Sequence, residues 1–393
     1  MSGPKRIGRT AWSGRTWRST KISAEPEVRV AFVASTLAVG GAEALLCSLV
    51  LHLRGHGVEP AVVALNHRGR FYDVLRTNGV TTSFSAMSSR YDVRGAWRAY
   101  ASIREAQPDV IVTQGVDAAV IGRCAAVVSR VPHVALEHSG AGLHLALHRR
   151  LLVRLVAGGF DLAITVSDTQ RADLVRLGYP SSRIRTIPSG IPEPVPTRER
   201  RNTRAALGVP EEGLLALLVA MLRPEKQITR FVDAVAEARS RGCPVFGVVA
   251  GSGPELATIE ARVAGRPGLS ILGERADVPD LMAAADIVCL TSRAEALPMV
   301  VLEAMALGRP VLSTPVGGIP DAIGDAGVLV DDSTQAIATA LCAAAADPAR
   351  LRTLGTRARG RYVERFSMDR VAESYAEALR GVAAQNAARR RVP

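Results

Sequence analysis

Short runs of consecutive apolar residues recur along the chain, and longer stretches of helical periodicity separate them. The first run, VRVAFVAS, begins at Val28 and is rich in β-branched residues, which is typical of a strand buried in a parallel sheet. Further strands are predicted at residues 60–65, 80–84, 110–113, 133–136 and 162–166. Helices are predicted between them, among others at 93–106 and 118–129. This alternation predicts an α/β domain with a parallel sheet covered on both faces.

A second series of such runs follows a segment rich in proline and charge. Residues 191–212 contain four prolines among charged side chains and are predicted to be a linker between residues 28–190 and a second domain. The run LLALLVAML opens that domain, predicted to span 213–365, and residues 366–393 are predicted to be a final helix and a tail. A chain of 393 residues exceeds the roughly 250–300 that one core supports, so two domains are expected.

The composition supports two cores, with 48% hydrophobic and 22% charged residues. Residues 1–27 carry six basic side chains but lack the apolar segment of a secretory signal, and we predict a disordered basic arm. No run approaches the ~20 apolar residues of a membrane-spanning helix. These features predict a soluble or peripheral protein.

The five cysteines are scattered through the chain, and most of them lie in apolar runs. They lack any CxxC pair, and they occur at Cys47, Cys124, Cys243, Cys289 and Cys342. This pattern favours buried reduced thiols over disulfides or a zinc site, and it is typical of a reducing cytoplasm.

The net charge of +12 is unevenly distributed. Residues 1–27 carry +4, residues 28–192 carry +7, and residues 193–393 carry only +1. A basic N-terminal half suits an anionic substrate, an anionic membrane or nucleic acid. Aromatic residues make up only 4%, and no nucleic-acid motif is present, so nucleic acid is the least favoured partner.

The most informative stretch joins a predicted strand at 287–290 to a helix opening at Pro298 and a next strand at 310–313. Glu295 lies in the loop before this helix, and Glu303 lies within its first turns. A helix start collects unpaired backbone N–H groups and a partial positive charge, which suits phosphate. A carboxylate further along can accept hydrogen bonds from sugar hydroxyls. This pattern predicts a pocket for a sugar attached to a diphosphate.

The spacing of Glu295 and Glu303, followed by EAMALGRPVLSTPVGG, strongly resembles the C-terminal signature of glycosyltransferase family 4. The resemblance covers about residues 28–386 and implies the GT-B fold. In that fold two Rossmann-like, doubly wound domains face each other across a cleft, and the final helix crosses back to the N-terminal domain. It also implies retaining, metal-independent transfer from a UDP- or GDP-sugar, which is a substrate, with no cofactor.

The resemblance assigns roles around the helix start. Glu295 would lie near the donor sugar as a catalytic residue, and Glu303 would hold the ribose hydroxyls. Backbone N–H groups around Leu297, Met299 and Val300 would hold phosphate. Ala296 stands in this donor-binding loop where the family frequently has glycine.

Two further loops of the second domain are implied to bind the donor. Family members commonly have an arginine and a lysine that neutralise the diphosphate. Here Lys226 is retained but Met221 replaces the usual arginine, so Arg223 and Lys226 are predicted as the phosphate ligands. Gly251, which follows a predicted strand within GSG, would allow close approach of the nucleotide.

In the first domain, Gly40 and Gly41 resemble the family's turn facing the donor phosphates. His138 directly follows a predicted strand, at the sheet edge where α/β folds bind ligands. The resemblance places this histidine beside the donor sugar, and we predict that it orients the sugar or the acceptor as a catalytic residue. Ser189 stands where relatives usually have asparagine.

Residues 143–156, LHLALHRRLLVRLV, are both basic and apolar. Such a helix can lie on anionic lipid, and the alternative is a core helix with solvated arginines. We expect a cytoplasmic protein, peripheral on the inner face of the plasma membrane, whose acceptor is a lipid-linked or cell-surface glycan precursor.

Two other functions remain open from the sequence. One is a nucleotide-sugar epimerase of the same fold, which would need acidic and histidine residues grouped for proton abstraction. The other is a non-catalytic, membrane-associated scaffold, suggested by Met221 and Ser189 at positions where the family has other residues.

Overall fold

The structure is a computed structural model that describes residues 28–38, 40–89, 91–137, 159–295 and 297–391. The chain divides into two compact units. The N-terminal unit includes residues 28–192 and the segment that begins at Met368, and the C-terminal unit includes Glu193–Ser367. The chain therefore passes from one unit to the other twice, once near residue 192 and once near residue 367.

The N-terminal unit contains a parallel sheet with the strand order β3-β2-β1-β4-β5-β6-β7. Its strands are β1 Val28–Thr36, β2 Val58–His67, β3 Thr81–Phe84, β4 Val110–Gln114, β5 His133–Glu137, β6 Leu162–Thr165 and β7 Ile184–Thr186. The described helices between them are α1 Gly41–Leu53, α2 Arg70–Thr77, α3 Val93–Glu105, α4 Val116–Ser129 and α5 Asp168–Arg176. The strands predicted from apolar runs are confirmed to within two residues at each end, whereas β7 was not predicted.

The central strand of this unit explains why the apolar runs were informative. Strand β1 pairs in parallel with β2 on one side and β4 on the other, so it lies in the interior of the sheet. Val30, Phe32 and Val33 are almost completely buried, and they point to both faces. A strand buried on both faces shows no polar alternation, which is why it appears in the sequence as a continuous apolar run.

The C-terminal unit contains a second parallel sheet, with the strand order β10-β9-β8-β11-β12-β13. Its strands are β8 Leu214–Val219, β9 Val245–Ala250, β10 Leu269–Ile271, β11 Ile287–Leu290, β12 Val311–Ser313 and β13 Val328–Leu329. Its helices are α6 Arg200–Ala206, α7 Ile228–Ser240, α8 Leu256–Val263, α9 Val278–Ala284, α10 Met299–Ala306, α11 Ile319–Ile323, α12 Thr334–Ala346 and α13 Pro348–Arg365. Both units are thus Rossmann-like, as predicted.

The last helix, α14 Met368–Arg391, belongs to the N-terminal unit and packs on α1, β1 and β4. Its buried positions Val371, Tyr375 and Leu379 recur every four residues and form one apolar face. The Arg380 Nη1 donates to the carbonyl of His56 at 2.8 Å. The predicted return of the final helix to the N-terminal domain is confirmed.

The prediction of a linker at 191–212 is wrong for most of that range. Arg200–Ala206 forms a helix that packs on α9. Arg204 is only 5% exposed, and its guanidinium donates to the carbonyls of Pro210 and Gly213 at 2.8 and 2.5 Å. Arg204, one of the charged residues that suggested a solvated linker, therefore binds backbone carbonyls and helps to fold the segment onto the unit.

The prediction that reduced thiols are favoured over disulfides is wrong for two of the five cysteines. Cys243 and Cys342 form a disulfide with a Cα–Cα distance of 5.5 Å, although they are separated by 99 residues. Cys243 follows α7 and Cys342 lies in α12, and these two helices pack together. Cys47 and Cys289 are buried free thiols, and burial raises the pKa of Cys47 to about 12. Across the described ranges, no helix has the length and apolar composition needed to cross a bilayer.

Candidate active site

The residues predicted to bind the donor in the C-terminal unit meet at the carboxyl edge of its sheet. Strands β8, β11 and β12 are neighbours in this sheet, so the loops that leave their carboxyl ends lie side by side. Ligands of open α/β sheets bind at this edge. The loop after β8 carries Lys226, and the loop after β11 carries Glu295.

Lys226 and Glu295 form a direct ion pair. The Lys226 Nζ lies 2.6 Å from the Glu295 Oε1, and the two side chains are 22% and 9% exposed. The Ser292 hydroxyl donates a second hydrogen bond to the same Oε1 at 2.6 Å. The carboxylate is therefore held by one cation and one hydroxyl, while the ammonium keeps part of its surface accessible to a ligand.

Buried hydroxyl groups tie the two loops together. The Thr291 Oγ1 lies 3.1 Å from the carbonyl of Lys226 and 3.0 Å from that of Gln227, and it donates toward both. The Thr314 Oγ1, after β12, donates to the carbonyl of Ser292 at 2.6 Å. Thr291, Ser292 and Thr314 are each at most 2% exposed. Because buried hydrogen bonds are costly to break, these contacts fix the distance between Lys226 and Glu295.

Sequence reasoning missed these hydroxyl groups, although a signal was present. The pairs Thr291-Ser292 and Ser313-Thr314 end two consecutive apolar runs, CLTS and VLST. Polar residues at the ends of neighbouring parallel strands meet at one sheet edge. The position of these pairs could therefore have indicated that they connect the two loops.

Arg223 lies on the same loop as Lys226, but it is exposed and points toward a different partner. Its Nη1 lies 3.9 Å from the Oε1 of Glu225, and the two side chains are about half exposed. Met221, which the family resemblance places at the position of an arginine, is 53% exposed. The structure thus brings Lys226 to Glu295 and leaves Arg223 as a solvated cation of the same loop. Its role as a phosphate ligand stays a prediction.

The helix predicted to open at Pro298 begins one residue later, at Met299, and Pro298 is its N-cap. Leu297, Met299, Val300 and Glu303 are all partly buried around this helix start. The first backbone N–H groups of a helix have no carbonyl one turn earlier to bind, so those of Met299 and Val300 can donate to an anion. Ala296 lies outside the described residues, and its effect on the donor loop stays a prediction.

Gly251 is confined by the neighbouring backbone, and its predicted role in nucleotide binding stays a prediction. Its φ is +149°, and a Cβ at this position would lie 1.8 Å from the carbonyl oxygen of Ala220. Gly253 is equally constrained, because its Cβ would lie 2.5 Å from the carbonyl oxygen of Leu222. The GSG turn after β9 therefore packs against the backbone that leaves β8. A packing constraint within the protein explains both glycines.

In the N-terminal unit, α1 begins at Gly41 with Gly40 as its N-cap. A Cβ on Gly40 would lie 2.1 Å from the Oε2 of Glu43, whereas a Cβ on Gly41 would meet nothing within 4 Å. Gly40 is therefore confined by a side chain of its own helix, and Gly41 borders open space. His138 and the segment 143–156 lie outside the described residues, so their predicted roles stay predictions.

Comparison with known proteins assigns the chain to a class. Residues 39–193 match the family model described as Glycosyltransferase Family 4, and residues 214–347 match the model described as Glycosyl transferases group 1. The two Rossmann-like units agree with the architecture of GT-B glycosyltransferases. The chain belongs to glycosyltransferase family 4, among the group 1 glycosyl transferases.

Relatives of known activity match most of the chain at moderate identity. The chain is 31% identical over 303 residues to an alpha-maltose-1-phosphate synthase of Mycobacterium tuberculosis, covering 68% of this chain and 77% of that protein. It is 29% identical over 231 residues to an N-acetyl-alpha-D-glucosaminyl L-malate synthase of Bacillus anthracis, covering 57% and 60%. A D-inositol 3-phosphate glycosyltransferase of Streptomyces bingchenggensis is 32% identical over 250 residues, covering 58% and 55%. The matches thus span just over half of the last two relatives.

Solved structures confirm the fold. The crystal structure of Anabaena Alr3699/HepE in complex with UDP superposes with a TM-score of 0.76 at 23% identity, covering 90% of this chain and all of that one. A glycosyltransferase from Rickettsia africae gives a TM-score of 0.77 at 15% identity, covering 91% of this chain and 99% of that one. At these identities the likeness establishes the shared GT-B architecture.

The assignment of Gly251 to backbone packing can be tested by stability. We expect Gly251→Ala to lower the free energy of unfolding by about 3 kcal/mol or more, because the methyl group would overlap the Ala220 carbonyl. Gly265→Ala is the control. Its φ of +72° makes alanine cost about 1–2 kcal/mol, and nothing lies within 4 Å of the new Cβ. Urea unfolding measures both. Equal losses in the two variants would contradict the packing role.

Proposed function

We propose that this protein is a retaining glycosyltransferase that moves a sugar from a nucleoside-diphosphate sugar to an acceptor. The observation that carries the proposal is the ion pair between Lys226 and Glu295 at the carboxyl edge of the C-terminal sheet. It places a partly accessible cation and a held carboxylate next to the start of α10. A diphosphate and a sugar need those two kinds of group in adjacent places.

In this proposal the diphosphate binds Lys226, Arg223 and the backbone N–H groups at Leu297, Met299 and Val300. Charge-assisted hydrogen bonds to phosphate are stronger than neutral ones, and a helix start adds a favourable partial charge. These groups oppose the negative charge that develops on the departing diphosphate. The transfer would then need no bound metal ion. Gly41, with open space at the start of α1, is a further proposed donor contact.

Glu295 would stabilise the positive charge that develops at the anomeric carbon as the glycosidic bond to phosphate breaks. The bonding electron pair leaves with the diphosphate, and the acceptor oxygen forms its bond on the same face of the sugar. The acceptor proton passes to an oxygen of the leaving phosphate. Glu303, partly buried on α10, would accept hydrogen bonds from the ribose hydroxyls.

The donor and acceptor classes have separate support. The similar Anabaena structure holds UDP, which favours a uridine nucleotide as the first donor to test. The matched relatives are named for inositol 3-phosphate, malate and maltose 1-phosphate, so small anionic acceptors belong beside lipid-linked glycans in an acceptor screen. The +7 charge of residues 28–192 suits either acceptor.

Product analysis tests the reaction itself. Purified protein is incubated with UDP- and GDP-sugars, with and without these acceptors, and the products are followed by NMR. We expect slow release of the nucleoside diphosphate without acceptor and a glycoside with the donor's anomeric configuration when the right acceptor is present. An inverted anomer would refute the retaining mechanism. An isomerised donor would indicate an epimerase instead.

The phosphate role of Lys226 gives a second test. Lys226→Met should raise the Kd for UDP by about tenfold to a hundredfold, because a charged hydrogen bond contributes about 1.5–3 kcal/mol. Arg201→Met is the matched control, since Arg201 is a cation of the same unit whose side chain is 81% exposed and pairs with Glu199. Calorimetry of UDP binding compares the three proteins. An unchanged Kd in Lys226→Met would exclude Lys226 as a phosphate ligand.

We also propose that the N-terminal unit lies on an anionic membrane surface. On helix α3, Val93 and Trp97 are 80% and 67% exposed and lie one turn apart, and the exposed Arg94 and Arg98 follow them. An exposed tryptophan with flanking arginines suits the interface of an anionic bilayer. A lipid-linked acceptor would be accessible to the protein at this membrane surface.

Vesicle flotation tests this surface. The protein should float with vesicles of phosphatidylglycerol and phosphatidylcholine, and less with phosphatidylcholine alone. Trp97→Glu should reduce the recovered fraction several-fold, whereas Trp97→Phe should retain most of it. Equal recovery on both lipids, or no loss in Trp97→Glu, would argue against membrane binding through α3.

A further inference from the structure

A polar cavity lies in the C-terminal unit, at the amino edge of its sheet. It has a volume of about 700 Å³ and lies between the start of β8, the residues before β12 and helix α13. Its wall contains a close backbone contact, because a Cβ on Gly355 would lie 2.2 Å from the carbonyl oxygen of Gly308. The cavity is therefore built by the fold, and none of the predicted donor ligands lines it.

Cations outnumber their carboxylate partner on the inner side of this cavity. Asp286, just before β11, accepts hydrogen bonds from Arg200 and from Arg204 Nη1, the latter at 2.8 Å. The Leu215 backbone N–H donates to the same carboxylate, also at 2.8 Å. One carboxylate thus serves two guanidinium groups and has little capacity for another.

Arg309 is the third guanidinium, and its charge is not matched. Among the described residues its side chain has no hydrogen-bond or ion-pair partner, and its Nε is fully buried. Burial lowers the pKa of Arg309, and the charges of Arg200 and Arg204 lower it further, against the opposing effect of Asp286. A buried donor without an acceptor costs about 1–3 kcal/mol, more when it is charged. Arg309 lines the cavity, so an anion bound there would stabilise the positive charge of its guanidinium group.

We propose that this cavity binds a small phosphorylated anion, with the Arg309 guanidinium as its central ligand and Arg352 of α13 at its mouth. Guanidinium groups bind phosphate through two parallel hydrogen bonds, a geometry for which arginine is preferred over lysine. The exposed Arg352 lines the same cavity and adds a second charge. Arg200 adds to the positive potential from the wall.

The size of the cavity and the residues on its wall indicate a ligand larger than inorganic phosphate. A volume of about 700 Å³ is within the range of about 300–1,000 Å³ that holds small organic ligands. Glu211 and Glu212 lie on the cavity wall beside the start of β8. Their carboxylates would repel a phosphate but can accept hydrogen bonds from hydroxyl groups. A phosphate monoester of a polyhydroxy compound has a phosphate group for the arginines and hydroxyl groups for the two carboxylates.

This site is separate from the proposed donor site. Strand β11 and its flanking residues join the two edges of the sheet, from Asp286 at one end to Ser292 at the other. Six residues at about 3.3 Å each place the two edges roughly 20 Å apart. Binding at the amino edge therefore requires neither Lys226 nor Glu295, and the inference does not rest on the proposed transfer reaction.

Thermal unfolding with inorganic phosphate tests the site at constant ionic strength, with chloride as the reference anion. The wild-type protein should be stabilised by phosphate, because an anion that binds only the folded state raises Tm. The stabilisation should persist in Lys226→Met, which removes the proposed donor ligand. It should be lost in Arg309→Met, with at least tenfold weaker apparent affinity. Arg309→Met should keep or raise Tm without phosphate, because it removes a buried Nε–H donor that has no acceptor.

Two surface variants on α13 keep the test decisive if Arg309→Met folds poorly. Arg352→Gln should weaken the phosphate response several-fold, whereas Arg350→Gln, two residues earlier and outside the cavity lining, should leave it unchanged. Glucose 6-phosphate is titrated in parallel. Tighter binding than inorganic phosphate supports a phosphate monoester as the ligand, and equal binding supports free phosphate. The proposal is overturned if phosphate and chloride act alike on the wild type, or if neither Arg309→Met nor Arg352→Gln reduces the response.

Discussion

The contact between the Lys226 ammonium and the Glu295 carboxylate depends on two loops from different strands being held at one distance. The strands alone cannot hold this distance, because the loops at the edge of a sheet are usually more mobile than the strands. Here Thr291 and Thr314 hydrogen-bond backbone carbonyls in the neighbouring loops, while Ser292 binds the carboxylate itself. Buried hydroxyl groups thus transmit the rigidity of the sheet to two charged side chains.

The elements that the sequence predicted correctly are those governed by local pattern. Strands β1, β2, β4, β5 and β6 are largely buried, so their apolar runs identify them with almost correct limits. Lys226 and Glu295 were also found, because a spaced motif marks the loops in which they lie. Their contact with each other was not predicted, since it depends on the order of strands β8 and β11 within the sheet.

The elements that the sequence did not reveal depend on residues far apart in the chain. The partner of Cys243 is 99 residues away, and no local pattern indicates it. The packing of Gly251 was not predicted, because the backbone it contacts, at Ala220, belongs to another loop. The charged segment around Arg204 resembled a linker because the sequence does not show the partners of Arg204, which are backbone carbonyls and the distant carboxylate of Asp286. A one-dimensional pattern cannot show such partners.

The position of α14 in the N-terminal unit has a consequence for how the protein is made. On the ribosome this helix emerges after every strand that it covers, because about 180 residues separate β7 from Met368. At a synthesis rate of about 5–20 residues per second, the surface of β1 and β4 stays uncovered for roughly 10–40 s. Within the described residues the C-terminal unit is one continuous segment, so it can complete its core first. The unit that is translated first is therefore the one that finishes folding last.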